Sequence, residues 1–383
     1  MKLTMNAGDL AEMVSICALA IESRPIRPEF ECLYLGAVSD RGIPKLTIVG
    51  QDSGNLIRKS TDRVTVEEDG RALIPAKTLL SFLKLMDGDV TLKTGEGNTV
   101  WLKCKGKRVT INCMDAEGYE GSSIMMNDCN EVRMNGADFG TLVNSVAHCV
   151  SVDTGRIALT GIYFSFDGME GTVEACGMDQ FKMAIATKSV ETNDTFSALI
   201  PASSARLIQK VIGNAEDVSF QFGKGVVIAE AYDTMIQSSL LNDSFMDYKH
   251  LAQRNHSLRI RLKTADILNA VKIARVSSAE GKKDLIILRV KDEDNIEISG
   301  MGALSGAEIT VPCLTEGMFT KSDGTTDGNE IAFSGFFMEN ALKAQEAYGE
   351  EAVLEFMSKV SPIVILPVER NDYFQLVLPV RLH

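Results

Sequence analysis

Two aspartates occupy matching points of this chain. Asp52 ends a Gly-x-Asp in "VGQDSGNL", and Asp179 ends another in "ACGMDQFK". Paired carboxylates serve as general acid and base when a substrate can reach both. These two are the same position of a repeat, one domain apart, so a turn or hydrogen-bonding role is the better reading of each. The Gly-x-Gly sites Gly95–Gly97 and Gly223–Gly225 invite comparison with a phosphate loop. That loop needs GxxxxGK[ST] between a strand and a helix, whereas each of these pairs lies between two β-like runs and reads as a hairpin turn. The eight cysteines (17, 32, 104, 113, 129, 149, 176, 313) form no CxxC pair and read as small buried thiols. The four histidines (148, 250, 256, 383) lack ligand spacing. No Ser-His-Asp or Cys-His set emerges. The chain is therefore expected to be non-enzymatic, with no metal and no cofactor.

The elements behind these residues are written in repeats. "ALIPAKTLLSFLK" from Ala72 returns as "ALIPASSARLIQK" from Ala198, an offset of 126. Each follows a Gly-x-Asp and precedes an apolar run, a Gly-x-Gly and a β-like run. Fixed-period self-similarity points to a repeated structural unit. The unit opens with "NAGDLAEMVSICALAI" and again with "NGADFGTLVNSVAHCV", and "KTADILNAVKIARVSS" begins a third copy. Asp9, Asp138 and Asp266 are placed to cap the helices that follow. Leu10, Met13, Val14, Cys17 and Ile21 then recur at helical spacing, as do Phe139, Leu142, Val143, Val146 and Val150.

Each copy reads as helix, strands, helix, strands. First helices are predicted at 7–20, 136–150 and 265–276, and second helices after Pro75, Pro201 and Phe333. Strands such as "KLTIVG", "RVTVEE", "GIYFSF" and "DLIILRV" are separated by Gly, Asp and Asn turns. The fold class is α+β, in three domains at 1–126, 127–254 and 255–383.

With 383 residues the chain carries a net charge of −13, spread as −1, −7 and −5 over those domains. Such a chain is poorly suited to gripping a phosphate backbone by bulk electrostatics. Basic residues nevertheless recur on equivalent helices: Lys77 and Lys84, Arg206 and Lys210, and Lys272 with Arg275. They raise the prospect of one shared positive surface. No apolar run approaches the length of a membrane span, and no signal peptide opens the chain, so a cytoplasmic protein is expected.

Taken together, the three copies and the final "LPVRL" (378–382) resemble the bacterial DNA polymerase III beta subunit family, the sliding clamps. So do "RP" at 24–25, "RIALTGIYF" at 156–164, "DQFKMAIA" at 179–186 and "FMDYKHL" at 245–251. The resemblance covers essentially the whole chain. It implies three clamp-type domains, each of two helices packed on antiparallel sheets, closing as a head-to-tail homodimer into a six-domain ring. Such a ring encircles double-stranded DNA without sequence preference and acts as a processivity factor in DNA replication. The alternative is a clamp-fold scaffold that has lost DNA encirclement.

The resemblance also assigns residues. Arg24, Lys77, Lys84, Arg206, Lys210, Lys272 and Arg275 would face the DNA. Val109, within an edge strand at 109–113, and Val276, within 276–278, would close the dimer. A groove for short peptides of the DNA polymerase III alpha subunit, the clamp loader and other clamp-binding proteins would be walled by Leu159, Phe181, Lys182, Met183, Met246 and Leu251. Ser334, Phe337, Val360, Leu376, Leu378, Pro379, Val380 and Arg381 would complete it. Two departures from the family pattern fall here. Met246 stands where the family has proline, which is expected to loosen its loop. Lys182 stands where it has arginine, which is expected to leave a single mobile charge. Met183 and Met246 are expected to form an adaptable wall.

Overall fold

In the computed structural model, which describes residues 1–22, 27–117, 119, 128–252, 256–278, 284–319 and 328–381, every repeat opens with a strand ahead of its first helix. The first repeat runs β1 (Lys2–Asn6), α1 (Ala7–Cys17), β2 (Cys32–Asp40), β3 (Ile43–Gln51), β4 (Asn55–Thr61), β5 (Thr65–Glu68) and β6 (Gly70–Pro75). It ends in α2 (Ala76–Leu83), β7 (Asp89–Gly95), β8 (Thr99–Cys104) and β9 (Lys107–Asn112). The second is β10 (Asn130–Met134), α3 (Gly136–Val146), β11 (Gly161–Asp167), β12 (Thr172–Met178), β13 (Lys182–Ser189), β14 (Phe196–Pro201), α4 (Ala202–Ile212), β15 (Val218–Gly223), β16 (Val226–Ala231) and β17 (Thr234–Ser239). The third repeats that order. It comprises β18 (Leu258–Lys263), α5 (Thr264–Ser278), β19 (Leu285–Val290), β20 (Asn295–Met301), β21 (Gly306–Gly317), β22 (Glu330–Ser334), α6 (Gly335–Gln345), β23 (Glu351–Phe356), β24 (Ile363–Pro367) and β25 (Tyr373–Val377).

The chain divides into two units, Met1–Ala137 with Ser203–Leu240, and Asp138–Ala202 with Leu241–His383. In the first unit, one sheet is ordered β5-β1-β7-β8-β9 and another β10-β15-β16-β17-β4-β3-β2-β6. The second holds one sheet, β14-β11-β12-β13-β25-β24-β23-β18-β21-β20-β19-β22. All pairings are antiparallel. Strands of different repeats are thus joined edge to edge twice, through β17–β4 and through β13–β25.

The cores follow from alternation. Along β1, Leu3 and Met5 are buried while Lys2 and Thr4 face outward, and Leu10, Leu79, Leu92 and Leu102 complete that interior. In the second unit Ile260, Ile267, Val271, Ile298, Phe333 and Leu342 belong to one buried cluster.

Two details correct the sequence reading of the helix starts. The cap of α1 is Asn6, whose side chain accepts from the Gly8 N–H at 2.8 Å, and Asn135 accepts from the Ala137 N–H at 2.7 Å. Asp9, Asp138 and Asp266 lie in the first turn instead, where a negative charge meets the positive end of the helix dipole. The Gly-x-Asp motifs, by contrast, make turns as expected. Asp52 Oδ1 accepts from the N–H of Gly54 (2.7 Å) and Asn55 (2.6 Å), and Asp179 Oδ1 from that of Phe181 (2.7 Å) and Lys182 (2.9 Å).

The glycine of each motif has its own reason. A Cβ on Gly50 would stand 2.0 Å from the Cys17 carbonyl oxygen, and one on Gly177 2.3 Å from that of Val146. Gly300 repeats this in the third copy, 2.2 Å from the Ala274 carbonyl oxygen. The strand passes beneath the end of the first helix in every repeat, and only hydrogen fits between them. Both Gly-x-Gly sites are hairpin turns, β7–β8 and β15–β16, with Gly97 and Gly225 at positive φ.

Candidate functional site

A groove lies wholly within the second unit, where β13 meets β25. Their register pairs Met183 with Leu376 and Lys182 with Val377. Past β25 the backbone stays extended: Leu378 N–H donates to the Phe181 carbonyl at 2.8 Å, and Val380 N–H to the Ala332 carbonyl at 2.8 Å. Pro379, which has no N–H to place, sits between these two donors. Alternate residues of the tail therefore show their side chains to solvent.

Beneath it lies an apolar floor of Leu159, Cys176, Met178, Met183, Ile185, Tyr248 and Leu376, with Tyr163, Phe245 and Phe374 packed against it. Around it are exposed apolar side chains: Phe181, Met246, Leu251, Val360, Leu378 and Val380. So many apolar groups left in water at one place are a signature of docking rather than of packing. Close by, Val360, Val380 and Arg381 share a pocket of about 320 Å³ with Glu330, Ala332 and Lys359.

The polar handles are firmly held. Lys182 is buried, its ammonium donating to Asp179 and to the Cys149 carbonyl (3.3 Å) and lying 5.1 Å from the centre of the Phe337 ring. It is not the mobile charge expected of a lysine replacing arginine, because burial forces all three contacts on it. Phe181 stacks on Phe337 with ring centroids 6.0 Å apart. Ser334 caps α6, accepting from the Phe337 N–H at 3.4 Å. Met183 is almost fully buried, so it forms floor rather than adaptable wall, and only Met246 keeps that freedom. The Met246 loop is pinned on both sides. Phe245 stacks on Tyr163 at 4.9 Å, and the Tyr248 hydroxyl donates to Glu174. Burial and that carboxylate push the Tyr248 phenol far above its ordinary value.

Tyr163, Phe245, Tyr248 and Phe374 were absent from the sequence-derived wall. Alternation could have found Tyr163, which shares β11 with the core residues Ile162 and Phe164 but points to the opposite face.

The basic positions divide between the units. In the first, Lys77 on α2, Lys84 at its C-cap, and Arg206 and Lys210 on α4 are exposed. In the second, Lys272 on α5 is exposed. Arg275 is half-buried, paired with Asp284 at 3.1 Å and with Glu339, and its guanidinium lies over the Phe336 ring. Arg24 lies outside the described residues. Val109 sits half-buried on β9, and Val276 is exposed on α5.

Cys17, Cys32, Cys104, Cys149 and Cys176 are buried, whereas Cys113, Cys129 and Cys313 are only partly so; burial pushes Cys17 up to about 12 and Cys149 higher still, so neither presents a thiolate. Among the described residues no three His, Cys, Asp or Glu side chains group to hold a metal ion.

Residues 1–123 match the DNA polymerase III beta subunit, N-terminal domain, and residues 133–247 match its central domain. The chain belongs to the DNA polymerase III beta subunit family. Among curated relatives, the beta sliding clamp of Bacillus subtilis is 23% identical over 392 residues, and that of Synechocystis 22% over 408, each match covering both chains completely. The crystal structure of the Bacillus subtilis DNA polymerase sliding clamp aligns over the whole of both chains with a TM-score of 0.91 at 21% identity. The beta subunit of Streptococcus pyogenes DNA polymerase does so with 0.90 at 17%. The beta-subunit fold thus extends over all three repeats of this chain.

Proposed function

We propose that this chain is a DNA sliding clamp, a non-catalytic processivity factor built of three domains at 1–126, 127–254 and 255–383. Two copies close head to tail into a ring around duplex DNA. Peptides of the DNA polymerase III alpha subunit, the clamp loader and other partners dock in the groove of the second unit. Encirclement reconciles DNA work with a net charge of −13, since topology replaces grip. Lys77, Lys84, Arg206, Lys210 and Lys272 supply weak, sequence-blind contacts, and the resemblance adds Arg24 to them. Arg275 contributes less, its charge being already matched by Asp284 and Glu339.

One observation carries the ring. The edge-to-edge joint between repeats occurs at β17–β4 and at β13–β25, and its third instance is left open. Among the described strands, β9 pairs only with β8, and the Gly306–Pro312 half of β21 only with β20. The repeats also support one register for that missing joint. Gly50 lies opposite Ile57, and the next residue, Arg58, faces Met235. Gly177 lies opposite Ala184, and Ile185 faces Phe374. Gly300 lies opposite Ala307, which gives Glu308 the corresponding place. Met235 follows the two-residue turn of its hairpin by two positions, and Arg108 holds that place in the β8–β9 hairpin. Joined in this register, Arg108 meets Glu308 of a second copy, and Val109 meets its Ala307. Opposite charges fall together although charge played no part in the alignment.

The clamp operates where the DNA is, in the cytoplasm, and no described helix is long and apolar enough to cross a membrane. The alternative, a clamp-fold scaffold without encirclement, draws on the compensated Arg275. Native mass and DNA topology separate the two. A clamp shows about twice 41.7 kDa and, once loaded, stays on circular DNA while sliding off linear DNA. Equal retention on both, or none on either, would leave the scaffold.

A further inference from the structure

The joint β17–β4 of the first unit also carries a trough, on the sheet face opposite the buried residues Leu33, Leu35 and Ala37. It has a volume of about 540 Å³. Pairing across the strands lines up Tyr34, Val49, Arg58 and Met235 as one wall. Gly36, Thr47 and Ser60 form a floor of small side chains, the two hydroxyls 3.0 Å apart. Val38 and Lys45, opposite each other on β2 and β3, make the second wall. The Tyr34 ring leans along its own strand over Gly36, where a Cβ would stand 2.8 Å from the phenol oxygen.

Three features distinguish this trough from a chance surface fold. An apolar cluster of Val49, Leu56, Ile228 and Met235 underlies the joint, as the cluster around Met183 underlies the peptide groove at the equivalent joint of the second unit. The turn at its end holds Tyr232 at φ 54 with 87% of its surface exposed. A two-residue hairpin turn with positive φ at its first position favours glycine there, and an aromatic residue in the left-handed region costs about 1 kcal/mol. Finally, the trough is charged where the other groove is apolar: of its two carboxylates, Asp233 is already paired with Lys59 at 2.6 Å, which leaves Glu230 against two cations. Arg58 holds the place of Ile185, and exposed Lys45 stands on the far wall.

We infer that this trough is a second docking site, taking an extended partner segment that presents an aromatic side chain beside a carboxylate. The aromatic ring packs on Tyr34 and Met235 and is covered by Tyr232. The carboxylate lies between Lys45 and Arg58, and Thr47 and Ser60 offer hydroxyls to the peptide backbone. Glu230, closing the Met235 end, disfavours a uniformly acidic segment. The inference stands apart from DNA encirclement and from the groove of the second unit.

Fluorescence anisotropy on the full chain tests it, using labelled Gly-Phe-Asp-Gly-Phe-Asp-Gly and the same peptide with lysine for aspartate. The acidic peptide is expected to saturate and the lysine peptide to fail. Lys45→Glu should weaken binding about tenfold, the loss typical of one well-placed contact. Tyr232→Gly should weaken it while leaving Tm unchanged or raised, because it removes the backbone strain. Leu378→Asp, in the other groove, should leave it unchanged. Failure to saturate below millimolar peptide, equal binding of both peptides, or loss only with Leu378→Asp would overturn the site. So would a lowered Tm with intact binding in Tyr232→Gly, which would make that tyrosine part of the fold.

Discussion

The backbone N–H of Leu378 donates to the carbonyl oxygen of Phe181 at 2.8 Å, and through that bond the segment from Leu378 to Val380 becomes part of the groove. The tail adds to the sheet past β25 and leaves Leu378 and Val380 partly in water above a buried floor. An aspartate at 378 would keep the backbone bond and put a charge over Met183 and Leu376. Peptides of clamp-binding partners are expected to lose about tenfold or more in affinity to Leu378→Asp, as for the truncation of a docking anchor. Titration against a folded dimer checks this. Equal affinity for wild type and variant would remove the groove from partner binding.

The closure register makes a sharper statement. Arg108→Glu and Glu308→Arg should each shift the native mass from dimer toward monomer, because each sets like charges opposite one another at both joints of the ring. The double variant restores opposite charges and should recover the dimer. Cross-strand charge pairs are worth roughly 0.2–1 kcal/mol each, so the shift should show in sedimentation at low micromolar concentration and shrink in high salt. A dimer unmoved by either single change would refute the register, and Val109→Asp would then tell whether β9 is at the interface at all.

Much of this fold was legible in the sequence because its signals are local. Helical spacing from Leu10 to Cys17 marks α1, and the turn chemistry of Asp52 and Asp179 is complete within three residues. What lay out of reach depends on distant pairing. The opening strands are only five or six residues long, and β1 is held by β5 and β7, far along the chain. The joint of β17 to β4 has no local signature at all. Neither has the burial of Lys182, whose environment is made by Cys149 and Phe337 from two other segments. The resemblance named the groove's wall residues but could not say which are floor and which are rim.

Gly177 tests the repeated passage of a strand beneath a helix end. A methyl group there would stand 2.3 Å from the Val146 carbonyl oxygen, and that neighbour is backbone, which cannot swing aside. Gly177→Ala is expected to destabilise the second unit by about 1–3 kcal/mol, as overpacking does. Gly171→Ala, at a turn with φ 62, should cost through backbone strain instead. Calorimetry on both variants, with Gly50→Ala as the repeat-equivalent change in the first unit, checks the expectation. A Gly177→Ala protein with unchanged Tm would show that the helix end yields freely.

The last expectation concerns acid. Glu339 on α6 is held below the usual carboxylate range, first by its hydrogen bond to Lys343 and further by Arg275, with burial opposing both. A carboxylate with a depressed folded pKa stabilises the protein fully above its unfolded value, about 4.3. That contribution fades as pH falls through the folded value. Glu339→Gln keeps the shape and removes the charge, leaving Arg275 half-buried with only Asp284 as carboxylate partner. The variant should therefore melt below wild type at pH 7, and the two curves should converge as pH drops below about 4. Because Arg275 also lies over Phe336, next to the Phe337 ring that supports Phe181, peptide affinity at neutral pH should fall with the same substitution. Melting curves between pH 3 and pH 7 read the first effect and anisotropy reads the second. A constant gap in Tm across that range would show that the carboxyl acts through packing and not through its charge.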